Sequence, residues 1–205
     1  LDFISIDKFA KRAIEICEEI GATDAYAFVE ANLALASSLV VQCKEREAKE
    51  YIDKIDFSAY SGSEFLADIV DSAGIVLCNL GDLASVEKMC TELIVRKNNN
   101  CFASFEANIL LAFINEQKGA LSVAESYAEE AKKCIGSVKS GDIKTDWLLM
   151  FYRIKAKISY RKGDYNEAIN ILNECIDSFN GNDNIPPIIY VVYLERGLYH
   201  FCDGD

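Results

Sequence analysis

The sequence predicts an all-α fold, an α-α superhelix (solenoid) of about ten helices arranged as antiparallel pairs, and three observations carry that expectation. First, 51% of the residues are hydrophobic and 26% charged, so a chain of this size has apolar surface for a substantial core. Second, the only two prolines are adjacent, Pro186-Pro187, and the eleven glycines leave long stretches free of helix breakers. Third, turn-like breaks between helical patterns recur at Cys43-Lys44, Gly81-Asp82, Lys118-Gly119, Gly163-Asp164 and Gly204-Asp205. Their steps of 38, 38, 44 and 41 residues fall in the range of helix-pair solenoid units.

A small-residue pattern accompanies the breaks. Seven residues before each stands Ala36, Gly74, Ala112, Ala156 or Gly197; five after come Ala48, Val86, Ala124 and Ala168; twelve after come Ile55, Leu93, Ala131 and Cys175. Two helices joined by a short turn approach to about 8 Å only where facing side chains are small. The helices expected on this basis span about 6–20, 24–42, 45–56, 63–80, 83–97, 101–118, 120–136, 144–162, 165–179 and 186–202. Asp24, Ser63 and Asp142 stand where N-caps are expected. Gly21, Gly136 and Gly181 follow helix ends, where a left-handed residue costs little if it is glycine.

The clearest unit runs from Tyr152 through Ala156, Tyr160, Gly163-Asp164-Tyr165, Ala168 and Leu172 to Cys175, and Tyr193, Gly197, Phe201 and Gly204-Asp205 repeat its first half. In these residues the chain resembles the tetratricopeptide repeat family, over nearly its whole length. The resemblance is weakest around Ala36 and Ala48, the steps exceed the family's usual ~34 residues, and the unit-closing proline is missing except near Pro186. These departures imply longer helices and looser inter-repeat loops, as in the tetratricopeptide-like sensor regions of bacterial regulators. The resemblance implies one repeat domain over 1–205, with units at about 24–60, 62–99, 101–140 and 143–182 and partial units at 1–22 and 186–205. Residues 1–20, with Ala10 and Cys17 in small-residue positions, read as the second helix of a preceding unit. The chain is thus expected to be a piece excised from a longer protein. The apolar Tyr190, Tyr193, Leu194, Leu198 and Phe201 are expected to face another chain, a homo-oligomer through this last helix, or to stay partly exposed.

Composition narrows the function. Acids outnumber bases by 33 to 21, for a formal charge of −12, which argues against a nucleic-acid partner and an anionic membrane surface. No apolar run approaches the ~18 residues of a spanning helix, so no direct membrane insertion is expected. The eight cysteines form no C-x-x-C, and the single histidine, His200, has only Cys202 nearby, so neither a metal site nor a cofactor is expected. Most of these thiols fall on apolar helical faces, as core residues of a chain in a reducing, cytoplasmic compartment.

In the tetratricopeptide family the first helix of each pair lines a groove. By alignment to the breaks, that resemblance implies inward positions at Glu30, Leu33 and Ser37; Asp68, Asp71, Ile75 and Asn79; Glu106, Ile109, Phe113, Glu116 and Gln117; and Met150, Arg153, Lys157, Tyr160 and Arg161. Arg153, Lys157 and Arg161 share one helix face at i, i+4, i+8 spacing. Two readings of that stripe stand: a receptor for a carboxylate or acidic peptide, or a solvated face paired with acids on the adjacent helix. The asparagines of the chaperone-binding carboxylate clamp are absent beside it. Trp147, Phe151 and Tyr152 read as core aromatics. Asp68, Asp71, Glu129 and Glu130 have no nucleophile or histidine placed beside them, and no phosphate loop or nucleophile elbow occurs, so no enzyme is expected. The expected function is a protein- or peptide-binding module, the sensor or interaction region of a larger signalling protein. The alternative is a small-ligand or peptide-signal receptor controlling a transcription-factor or nucleotide-cyclase output domain.

Overall fold

In a computed structural model of the chain, residues 3–60, 65–95, 101–136, 141–179 and 189–203 are described. They are all-α, with ten α-helices and one 3₁₀ turn and no strand among them. The helices gather into two compact units, residues 1–97 and 98–205.

The first unit holds α1 (Phe3–Glu19), α2 (Tyr26–Val41), α3 (Glu45–Ile52), the 3₁₀ turn Phe57–Tyr60, α4 (Leu66–Asn79) and α5 (Leu83–Val95). α2 packs against α1, α3 and α4, and α4 against α5. A helix with neighbours on several sides must be apolar around most of its circumference, and α2 (YAFVEANLALASSLVV) is. Tyr60 fastens the 3₁₀ turn by donating its hydroxyl to the Asp24 carbonyl at 2.7 Å. Asp24 therefore contributes its backbone there. Ala25, not Asp24, is the N-cap of α2, and no side chain caps it.

The second unit holds α6 (Cys101–Gln117), α7 (Leu121–Ile135), α8 (Gly141–Arg161), α9 (Tyr165–Phe179) and α10 (Ile189–Asp203). α6, α8 and α10 lie side by side as first helices. α7 packs on α6 and α8, and α9 on α8 and α10. One apolar cluster joins α6, α7 and α8 around Phe105, Ala112, Ala124, Ala131, Trp147 and Ile158. A second joins α8, α9 and α10 around Leu149, Ala156, Ala168, Cys175, Val192 and Tyr199. Trp147 lies flat on Phe105, ring centres 4.2 Å apart, and Phe151 is likewise buried, so both are core residues.

The expected breaks are the turns of the structure. Cys43, Gly81, Gly119 and Gly163 have φ of 58°, 80°, 75° and 84°. At each, the following N–H reaches back to a carbonyl five residues earlier: Lys44 to Leu39, Asp82 to Leu77, Ala120 to Asn115 and Asp164 to Ser159, all between 2.9 and 3.0 Å. This paired closure ends a helix with its last carbonyls satisfied. The Gly-Asp dipeptide does more, because the aspartate caps the next helix. Asp82 accepts the Ser85 N–H at 3.2 Å and Asp164 the Glu167 N–H at 3.1 Å. Gly21, φ 70°, is left-handed as expected, whereas Gly136 is right-handed at φ −64° and simply continues the helical turn. Ser63, Gly181, Pro186-Pro187 and Gly204-Asp205 lie outside the described residues, as does the Asp142 side chain.

Around these turns the small residues make the close contacts. Ala36, Ala112 and Ala156 are fully buried, as are Ala48, Val86, Ala124 and Ala168 across from them, and Gly74 is buried too. Gly197 alone of the set is exposed. No described helix is long and apolar enough to cross a membrane.

Candidate functional site

The three first helices of the second unit bring seven of the eight foremost candidates together. Phe113, Glu116 and Gln117 end α6, and Arg153, Lys157, Tyr160 and Arg161 run along the neighbouring face of α8. Asn79 does not join them: it is exposed at the end of α4 in the first unit, beside Lys49, Glu50 and Asp53 of α3.

Glu116 is the centre of the arrangement. Its side chain is only 1% exposed, yet two cations converge on it, Lys157 Nζ at 3.0 Å from Oε2 and Arg161 Nε at 3.2 Å from Oε1. Gln117 donates its amide to Oε2 at 2.9 Å. Burying a carboxylate is tolerable only with such pairing, because an isolated buried charge costs several kcal/mol. Lys157 also lies over the Phe113 ring, 4.8 Å from its centre, which stabilises the ammonium against the ring's negative face. Lys157 and Arg161 remain 35% and 47% exposed. One negative charge thus faces two positive ones that still touch solvent.

One turn earlier, Arg153 grips Glu195 of α10 through three short contacts, Nε to Oε2 at 3.0 Å, Nε to Oε1 at 3.2 Å and Nη2 to Oε1 at 2.7 Å. The hydrogen bond to Glu195 holds the Arg153 pKa above its ordinary value. Tyr160 stacks on Tyr199 of α10, ring centres 4.5 Å apart, and its hydroxyl lies 3.4 Å from Cys202 Sγ. That hydrogen bond is the chief reason the Tyr160 phenol is shifted up, while burial shifts Tyr199 up. The stripe is therefore a ladder of ion pairs, not a free basic face. All three of its cations meet acids on adjacent helices, and a surplus charge remains only at the Glu116 end.

In the first unit the acidic positions Glu30, Asp68 and Asp71 neighbour Tyr26, whose ring stacks on Phe65 at 4.7 Å. Burial and then the hydrogen bond to Glu30 push the Tyr26 phenol up to about 12. Burial, then Asp68 and Glu30, raise the Asp71 carboxyl. Leu33 and Ile109, expected to look into a groove, are core residues at 2% and 5% exposure. Among the described residues no group of acids, cysteines and histidine is placed to hold a metal ion.

Sequence reasoning did not anticipate Glu195, Tyr199 and Cys202. The repeat period gave a partial signal. Glu195 and Cys202 each lie 42 residues after the side chain they meet, one more than the 41-residue step between these units, so the period brings α10 alongside α8 but does not single them out. No protein-family model and no curated protein sequence matches the chain.

Proposed function

We propose that the chain is a tetratricopeptide-like module that binds a protein or peptide segment, the interaction region of a larger signalling or regulatory protein. The face of α6, α8 and α10 receives an acidic stretch of the partner. One observation carries this reading: Lys157 and Arg161, each still open to solvent, share the single buried carboxylate of Glu116. A partner carboxylate arriving there meets two donors already held in place, so little side-chain entropy is lost on binding. Ion pairing at the rest of the ladder sets the rotamers and leaves the orientation of the partner to the charge surplus. The eight scattered cysteines support a cytoplasmic setting for such a module.

The test is binding of matched acidic, neutral and basic peptide libraries to the chain and to a Glu116→Gln/Lys157→Gln/Arg161→Gln variant. Removing all three charges together avoids stranding a buried carboxylate. Retention of acidic peptides by the native chain, weakened by salt and lost in the variant of equal helicity, is expected. Retention without charge preference, or equal retention by the variant, would refute the site.

A further inference from the structure

Two thiols meet at the open end of the α6–α7 hairpin, and we propose that Cys101 and Cys134 are a redox-responsive pair that closes into a disulfide by exchange with a small disulfide such as glutathione disulfide. The register of the hairpin brings them together. α6 and α7 run antiparallel from the 118–120 turn, with Ala112 across from Ala124 and, seven residues further along each helix, Phe105 across from Ala131. Four residues more put Cys101 level with Ile135 and beside Cys134. The helices approach closely because Ala112, Ala124, Ala128 and Ala131 line their contact, all buried at 2% exposure or less. A disulfide needs Cα atoms within ~7 Å of each other, a separation that facing positions on helices this close supply. Both thiols are half-buried and pack on one apolar cluster, which Trp147 completes from α8, so a small reagent can still reach them. Cys78 and Cys90, the other two cysteines that share a hairpin, do not face each other: Cys78 adjoins the Gly81 turn and Cys90 lies two turns along α5.

The two thiols have different parts in the exchange. Burial, then charge on the neighbouring Cys101 and on Glu130, raises the Cys134 thiol, and its S–H is donated to the Glu130 carbonyl at 3.8 Å. Cys134 is therefore a poor first nucleophile, and Cys101 attacks first. The Cys101 thiolate bonds to one sulfur of the small disulfide and expels the other as a thiolate, which takes up the proton that Cys101 released. Cys134 then gives up its proton and attacks the Cys101 sulfur of the mixed disulfide, expelling the second small thiol. Two protein thiols are oxidised, and one disulfide is reduced to two thiols. The product ties the hairpin shut at the end opposite its turn and clamps the helix that carries Phe113 and Glu116. In a reducing compartment a disulfide of this kind is transient and reports an oxidising shift.

Peptide mapping of the whole chain tests this. The chain is equilibrated with glutathione at a rising oxidised fraction, alkylated in denaturant and cut with trypsin. The expected product is a cross-link between peptides 98–118 and 134–139, reversed by dithiothreitol. It should raise the thermal midpoint of the second unit by on the order of 10 °C. Cys134→Ser should form no cross-link and instead keep glutathione on Cys101, the intermediate left without its second nucleophile. Glutathione adducts on Cys101 or Cys134 of the native chain with no cross-link between them overturn the proposal. So does a cross-link of either residue to a different cysteine in its place, or full alkylation of both at every glutathione ratio.

Discussion

Cys43 holds its backbone at φ 58°, a conformation in which its Cβ crowds the following carbonyl, and it does so at a turn that glycine occupies in three other places. An L-residue other than Asn or Gly pays ~1–2 kcal/mol there. Cys43→Gly should therefore raise the urea midpoint of the first unit, by about 1 kcal/mol once glycine's added unfolded-state entropy is subtracted. Asp71 carries a second strain, of charge. Its folded pKa lies above the unfolded value, so the folded state binds the proton more readily. Stability should accordingly be fully present below the ordinary carboxylate pKa and be lost as pH rises through the raised one. Asp71→Asn should raise the thermal midpoint at neutral pH and leave it little changed at about pH 3, with the shift appearing between. Glu116 gives the opposite case, a buried acid that needs its cations. Lys157→Met/Arg161→Met should cost about 2 kcal/mol, less than the ~3–5 kcal/mol of a fully buried pair because both cations are partly exposed. Adding Glu116→Leu should recover much of it in a denaturation cycle. Residues of this kind were half legible in the sequence. The i, i+4 spacing put Arg153, Lys157 and Arg161 on one face. That the face is mostly neutralised depends on which helix lies alongside, which spacing within one helix does not contain.

At the scale of elements the agreement is closest where a break has a chemical cause. The Gly-Asp turns located the ends of α4 and α8 to within a residue or two, because glycine's left-handed closure and the aspartate cap act locally. Asp24 is not the cap: the helix begins one residue later, with Ala25 as an N-cap that no side chain serves, and the Asp24 carbonyl accepts the Tyr60 hydroxyl from 36 residues away. The helix expected to run to residue 56 ends at Ile52, and Phe57–Tyr60 turns as a 3₁₀ segment in its place. Between elements, the close contact of α8 with α9 rests on Ala156 and Ala168, both fully buried. Ala156→Leu should destabilise the second unit by about 1–3 kcal/mol through overpacking, read as a lowered urea midpoint, whereas an exposed site would scarcely respond.

For the whole molecule, the division at residue 97 means that each unit has its own apolar core, and a unit with its own core can fold alone. A fragment of residues 98–205 should show cooperative unfolding by circular dichroism. Its only tryptophan, Trp147, stacked inside that unit, should report the same midpoint by fluorescence. Non-coincident transitions would break the expectation. The turns inside the pairs are all three residues long, at 42–44, 80–82, 118–120 and 162–164, while the connections from one pair to the next range from 96–100 to 53–65. A chain with one joint of fixed length and one of variable length has a grammar for change over generations. Duplication, deletion or insertion at the joints of variable length leaves every hairpin intact, whereas a single residue added to a three-residue turn would rotate the second helix's small residues off their partners, and selection should have policed those turns far more strictly.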